Sequence, residues 1–77
     1  MATFKVTVIA GVMKQEDKTA VVAIIRSRNM QATKFGKNYD LQLRRDGNYN
    51  VSIREQGNFG IPGFKKSIHA SFKLEEL

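Results

Sequence analysis

The 77-residue sequence predicts an all-β fold, a small antiparallel meander of five strands that forms a bent sheet or a barrel. Three observations favour this fold. Apolar and polar residues alternate over residues 3–12, on both sides of Asp46-Gly47, and again over residues 64–77. Alternation with a period of two is typical of strands that bury one face. The length predicts a single domain, residues 1–77, whose core is small.

Residues 3–12 form the first predicted strand, which places Phe4, Val6 and Val8 on one face. Residues 13–18 follow as a polar turn. A turn this short favours a hairpin between the first strand and the segment that follows it.

That second segment, residues 19–28, fits two structures. Helical spacing relates four of its residues, Val21, Ile24, Ile25 and Arg28. Its β-branched residues favour a strand buried on both faces. We therefore expect a strand that pairs with the first one and sets Val8 beside Val22. The alternative is a helix within residues 17–32, which would change the fold class to α+β.

The clearest element is a β-hairpin over residues 38–54. A two-residue loop would set Leu43 against Asn50, an apolar side chain against a polar one. A three-residue loop, 45–47, aligns the apolar sets and gives Gly47 the left-handed conformation that such loops need. The expected pairs are Leu43 with Tyr49, Leu41 with Val51, and Tyr39 with Ile53. The other face is then polar and carries Asn38, Asp40, Gln42, Arg44, Asn48, Asn50, Ser52 and Arg54.

The remaining segments complete the predicted meander. Residues 28–37 are a basic connector with a turn at Phe35-Gly36, and residues 55–63 are a glycine-rich loop. We expect residues 64–77 to form the last strand, with a helix over 64–76 as the alternative. In size, charge and strand count the chain resembles small β-barrels of the oligonucleotide-binding or SH3-like kind.

Charge is the strongest compositional signal. Thirteen Lys and Arg against seven Asp and Glu give a net charge of +6. Residues 26–66 hold nine of the basic residues and three acidic ones, so this part alone carries +6. Such an excess in a small domain is typical of proteins that bind nucleic acid.

The composition argues against catalysis and against a metal or cofactor site. His69 shares a predicted strand face with Ser67 and Ser71, but acyl transfer also needs an orienting acid and oxyanion donors. One histidine without cysteine cannot supply the ligands of a zinc site. The glycine-rich loop lacks the ending of a phosphate-binding P-loop. We expect no enzyme activity, no metal and no cofactor.

Basic residues with interleaved aromatic rings suit single-stranded DNA or RNA, because cations contact phosphates and rings stack on bases. We therefore expect a nucleic-acid-binding protein that relies mainly on phosphate contacts. The candidate residues are Arg26, Arg28, Lys34, Phe35, Lys37, Arg44, Arg45, Arg54, Phe59, Lys65 and Lys66.

The alternative function is a protein-interaction module, an inhibitor or adaptor that docks its basic face or an edge strand on a protein partner. A homo-oligomer is also expected to be accessible, since a small sheet can extend its core with a second copy. The longest uncharged apolar stretch, residues 20–25, is too short to cross a bilayer, so we expect no membrane association. The lack of cysteine fits a cytoplasmic protein.

Overall fold

The computed structural model describes residues 3–56 and 64–77, with the side chains of residues 56 and 64–66 outside the description. Within these residues, five antiparallel strands form one sheet, and one helix accompanies them. The elements are β1 (Phe4–Ala10), α1 (Gln15–Ser27), β2 (Gln31–Lys34), β3 (Lys37–Leu43), β4 (Tyr49–Gln56) and β5 (Phe64–Glu76). This confirms the prediction of a mostly β, five-stranded antiparallel fold.

The strand order is β1-β5-β4-β3-β2, so β2 to β5 form a meander and β1 returns to lie beside β5. Among the described strands, β1 and β2 are the two edges. The sheet is therefore open and does not close into a barrel.

The central hairpin has the predicted register. Leu43 pairs with Tyr49, and the other two predicted pairs, Leu41 with Val51 and Tyr39 with Ile53, are also present. Gly47 has φ +88°, the left-handed conformation expected at this position of the three-residue loop. The hairpin could be derived from sequence because only this register aligns the apolar side chains of both strands.

The strand predicted over residues 19–28 is wrong, because the chain forms helix α1 there. Asp17, Ala20, Val21 and Ile24 are buried at helical spacing, while Ala23 is exposed. Burial along one helical stripe outweighs the strand preference of the β-branched residues. The alternative of a helix within residues 17–32 is the correct one, although the helix begins and ends earlier.

Local hydrogen bonds stabilise both ends of α1. A side-chain oxygen of Asp17 accepts a hydrogen bond from the backbone N–H of Lys14, the N-cap residue, at 3.1 Å. Arg28 takes the left-handed conformation with φ +63°, and its N–H donates to the carbonyl of Ile25 at 3.1 Å. Neither contact depends on the apolar pattern that made the segment ambiguous.

The predicted pairing of Val8 with Val22 is consequently wrong. Val8 lies opposite Phe72 on β5. Strand β2, which the sequence presented as a basic connector, carries almost no apolar side chains and so gave no alternation to detect. The strand preferred for residues 64–77 is confirmed as β5.

Helix α1 and one face of the sheet enclose the core. Its buried hydrophobic residues among those described are Met13, Ala20, Val21, Ile24, Tyr39, Leu41, Val51, Ile53, Ala70 and Phe72. Tyr49 and Phe72 stack with ring centroids 5.4 Å apart. The described elements place no layer on the opposite face of the sheet, which is polar.

Candidate nucleic-acid interface

The β2–β3 hairpin ends in a two-residue turn with an exposed aromatic ring. Lys34 pairs with Lys37, which leaves Phe35 and Gly36 as the loop, with φ values of +54° and +71°. Positive φ at both positions is the pattern of a type I′ turn, where Asn-Gly is preferred. A left-handed conformation costs a residue such as Phe35 about 1–2 kcal/mol.

Core packing does not compensate this strain, because the Phe35 side chain is 59% exposed. The predicted turn at Phe35-Gly36 is therefore present, and it holds a large ring in solvent at a cost in stability. Strained and exposed residues of this kind concentrate at binding sites. Lys34, also exposed, precedes the ring directly, and as the cross-strand partner of Lys37 it lies on the helix side of the sheet.

Lys37 was a candidate for phosphate contact, but its side chain points to the helix side of the sheet and is buried. Its ammonium group lies 3.3 Å from a carboxylate oxygen of Asp17, 3.3 Å from one of Glu16 and 3.8 Å from one of Glu55. This location does not suit a phosphate contact. We therefore omit Lys37 from the proposed surface.

Asp17 is the centre of this buried cluster. Tyr39 donates its hydroxyl hydrogen to Asp17 at 2.7 Å, and Lys37 donates to the same oxygen. Burial alone would raise the pKa of Asp17, but the hydrogen bonds from Tyr39 and the Lys14 backbone and the charge of Lys37 hold it below its usual value. The cluster couples the helix N-terminus to β3 and supports the turn end of the hairpin that carries Phe35.

The polar face of the sheet begins next to the Phe35 turn. Thr33 and Asn38 form the next cross-strand pair, and the Thr33 hydroxyl donates to the Asn38 amide oxygen at 2.8 Å. Arg54 lies opposite Asn38 on β4. A shallow depression of about 350 Å³ covers this part of the face, and its polar lining residues are Gln31, Thr33, Asn38, Asp40, Ser52 and Arg54.

Arg44 and Arg45 lie at the opposite end of the sheet, in the β3–β4 turn. Strand β3, seven residues long, separates the two ends by about 20 Å at the rise of a strand. The Arg44 guanidinium pairs with the Asp46 carboxylate at 2.8 Å. The two ends therefore form separate basic regions along one strand.

Arg26 and Arg28 occupy the end of α1. The Arg26 guanidinium lies 5.2 Å from the centroid of the Phe4 ring, beside the β1 edge of the sheet. Arg28 is the exposed residue that ends the helix. Since β1 and β2 are at opposite edges, Arg26 is not brought together with the Phe35 turn.

Three candidates cannot be placed in the same way. Phe59 lies outside the described residues. Lys65 and Lys66 lie at the start of β5, and their side chains are outside the description.

Sequence reasoning missed a contact between a serine and the histidine on the polar face. The Ser52 hydroxyl lies 3.1 Å from Nδ1 of His69, on the neighbouring strand. Asp40 lies opposite Ser52 on its other side, so the acid flanks the serine and is not placed to orient the histidine ring. Only the β4–β5 register, which the sequence left undetermined, could have revealed this pair.

The described residues hold no group of three His, Cys, Asp or Glu arranged to bind a metal ion. Among the same residues, no helix has the length and apolar character required to span a membrane. A scan against protein-family models, a search of curated proteins and a search of solved structures each give no match to this chain.

Proposed function

We propose that the protein binds nucleic acid, with single-stranded DNA or RNA favoured, through the Phe35 turn and the polar sheet face beside it. The observation that supports this most directly is the exposed Phe35 ring, held in a strained turn conformation next to Lys34. A flat ring displayed beside a cation matches the two chemical features of a nucleotide, the base and the phosphate.

In this proposal the Phe35 ring stacks on an unpaired base, an interaction of about 1–3 kcal/mol. Lys34, on the helix side of the same turn, contacts the phosphate of the stacked nucleotide where the strand passes the hairpin tip. Arg54 and the amides of the depression, which include Gln31 and Asn38, offer hydrogen bonds to the neighbouring nucleotide. A duplex keeps its bases stacked internally, so a ring at a hairpin tip gains less from duplex DNA than from a single strand.

The basic residues of the β3–β4 turn would extend the bound strand. Arg45 and Arg44 lie about 20 Å from the Phe35 turn along β3. A probe of about 12 nucleotides is long enough to reach both ends, and it falls within the site sizes known for small single-strand binders.

The test is a fluorescence-anisotropy titration with labelled 12-nucleotide single-stranded RNA, single-stranded DNA and duplex DNA, at about 50 and 200 mM salt. We expect a single-stranded probe to bind more tightly than the duplex, and affinity to fall steeply at the higher salt. Phe35→Ala is expected to weaken single-strand binding by about tenfold, the loss of one stacked base.

Lys73→Ala is the matched control for Lys34→Ala. Both lysines are exposed, but Lys73 lies on β5 opposite Thr7, far from the Phe35 turn. Lys34→Ala should weaken binding more than Lys73→Ala does. Absence of binding at low salt, or equal effects of the two substitutions, would contradict the proposed site.

A cytoplasmic location and a homo-oligomer belong to the same proposal. A cysteine-free nucleic-acid-binding domain suits a reducing compartment. Sedimentation of the purified protein would test the oligomer, and imaging of the tagged protein would test the location.

A further inference from the structure

Strand β1 presents a backbone edge with which no other strand in residues 3–56 and 64–77 pairs. The N–H of Leu77 donates to the carbonyl of Thr3 at 2.8 Å, so the Thr3 backbone faces the β5 side. In an antiparallel ladder successive residues face opposite sides. The N–H and C=O groups of Phe4, Val6 and Val8 therefore face away from β5, where no described strand lies.

A groove runs along this edge between β1 and α1, with a volume of about 910 Å³. Apolar side chains contributed by both elements, including Phe4, Val6, Val22 and Ala23, form its floor. Its charged lining residues are Lys5, Lys18 and Arg26, and no acidic residue lines it among those described. The groove is thus apolar inside and positively charged at its rims.

The charges decide which occupant fits. A second copy that paired its β1 with this one about a two-fold axis would lay the two α1 helices side by side in opposite directions. The Lys18 and Arg26 side chains of the two copies would then approach each other in a partly apolar groove, where like charges repel strongly. A partner with carboxylates would instead be attracted.

We propose that the β1 edge and this groove bind an extended acidic segment of another protein, which adds to the sheet as a sixth strand. Its backbone pairs with the outward groups of Phe4, Val6 and Val8. The side chains on its groove side are apolar at the centre of the segment and acidic at its two ends, where they lie beside Lys18 and Arg26 of α1. A carboxylate on its other face lies beside Lys5, which is on the side of the sheet away from α1. Strand addition of this kind obtains affinity from the backbone and specificity from alternate side chains.

This surface is separate from the proposed nucleic-acid site. Four inter-strand spacings, about 19 Å, separate β1 from β2 and the Phe35 turn. The two activities can therefore be removed independently, and failure of one proposal leaves the other standing.

The probes are two labelled heptapeptides. The first carries glutamate at positions 1, 4 and 7, valine at positions 3 and 5, and threonine at positions 2 and 6, so that its groove face has valine at the centre and glutamate at both ends. The second has lysine in place of every glutamate. Fluorescence anisotropy with the full chain is expected to show at least about tenfold tighter binding of the acidic peptide. Amide NMR shifts on adding that peptide should be largest at Phe4, Val6 and Val8.

Two variants test the mode of binding. Val6→Pro removes a backbone N–H that faces away from β5, and an edge strand tolerates proline at such a position. The substitution should weaken binding of the acidic peptide by about tenfold. Lys18→Glu reverses a rim charge near the helix N-terminus, where an acid is tolerated. It should weaken binding of the acidic peptide by a similar factor and strengthen binding of the lysine peptide. This variant still tests the proposal if Val6→Pro fails to fold.

Lys34→Glu is the matched control, because it makes the same charge change at the opposite edge. Lys34→Glu should weaken nucleic-acid binding and leave the affinity for the acidic peptide unchanged. Lys18→Glu should weaken binding of the acidic peptide and affect nucleic-acid binding less than Lys34→Glu does. Equal affinity for the two peptides, or equal losses in the two variants, would overturn the proposal. So would a dimer that dissociates on Val6→Pro, since the edge would then be occupied by a second copy.

Discussion

At the scale of single residues, substitution of Phe35 is expected to change the stability of the protein and its affinity for nucleic acid in opposite directions. Replacing Phe35 with Asn keeps the turn but supplies the residue that left-handed positions prefer. Phe35→Asn is expected to raise the free energy of unfolding by about 1 kcal/mol, because the strain of the bulky side chain is relieved. Urea unfolding followed by circular dichroism measures this change.

The same variant should bind single-stranded probes about tenfold more weakly, since the stacking ring is gone. A protein that became more stable and kept its full affinity would show that the ring is not used. A loss of both stability and affinity would instead indicate that Phe35 supports the hairpin.

Asp17 makes the free energy of unfolding depend on pH in the acidic range. Burial opposes its charge, but the hydrogen bonds from Tyr39 and Lys14 and the charge of Lys37 lower its pKa in the folded protein. The charged form is therefore favoured by folding, and its contribution is present above the usual Asp pKa of about 4 and lost as the pH falls through the folded value. Stability should decline below about pH 4.

Asp17→Asn tests this dependence. It removes one of the two carboxylates that lie 3.3 Å from the Lys37 ammonium group and replaces the charged acceptor of the Tyr39 hydroxyl, while Glu16 and Glu55 remain near Lys37, so we expect a loss of about 2–3 kcal/mol at neutral pH. The acid-dependent loss of stability should become shallower in the variant. Urea titrations between pH 2 and 7 provide the comparison, and parallel pH profiles for the two proteins would be inconsistent with a dominant role for Asp17.

At the scale of elements, the end of β1 requires glycine for a steric reason. Gly11 has φ +78°, and a Cβ there would lie 2.6 Å from the carbonyl oxygen of His69. Gly47 has φ +88° with open space around it. Gly47→Ala should cost about 1 kcal/mol from backbone strain alone.

Gly11→Ala should cost clearly more, about 2–4 kcal/mol, because the β5 backbone must also move. Both variants place alanine at a positive φ and so carry the same backbone strain. The difference between their losses in thermal unfolding therefore measures the clash of the new Cβ at residue 11 with the His69 carbonyl oxygen. Equal losses would mean that β1 and β5 adjust easily at this point.

The elements also show what the sequence could reveal. The Leu41–Val51 hairpin was predictable because one register satisfies every apolar side chain. Residues 19–28 were not, because their β-branched side chains favour a strand while their buried stripe depends on packing against the sheet. Strand β2 lacked any apolar pattern and is held by pairing with β3.

At the scale of the whole molecule, the strand order determines which surface each basic side chain lies on, whereas the composition gives only the net charge. Residues 26–66 looked like one basic region, but Lys37 is buried with carboxylates and Arg26 lies along β1. The sequence could identify Phe35 and Lys34 as candidates. It could not show which cations share a surface, because that depends on the strand order.

The net charge should nevertheless govern binding. The logarithm of the affinity is expected to fall linearly with the logarithm of salt concentration, since phosphate contacts release counterions. Lys34→Ala should reduce the magnitude of this slope by about 1, and Lys73→Ala should change it less. Titrations at several salt concentrations measure the slopes, and an unchanged slope for Lys34→Ala would exclude a phosphate contact there.

Strand β5 pairs with β4 through its first part and with β1 through its last part, up to the pair of Phe4 with Glu76. Strand β1, which precedes the other described strands in the chain, must therefore wait for residues near 76 before it can pair. The meander of β2 to β4 has only local contacts and can form sooner. During synthesis, the apolar side chains of β1 therefore stay exposed longer than those of the meander, and exposed apolar surface of this kind is prone to aggregation.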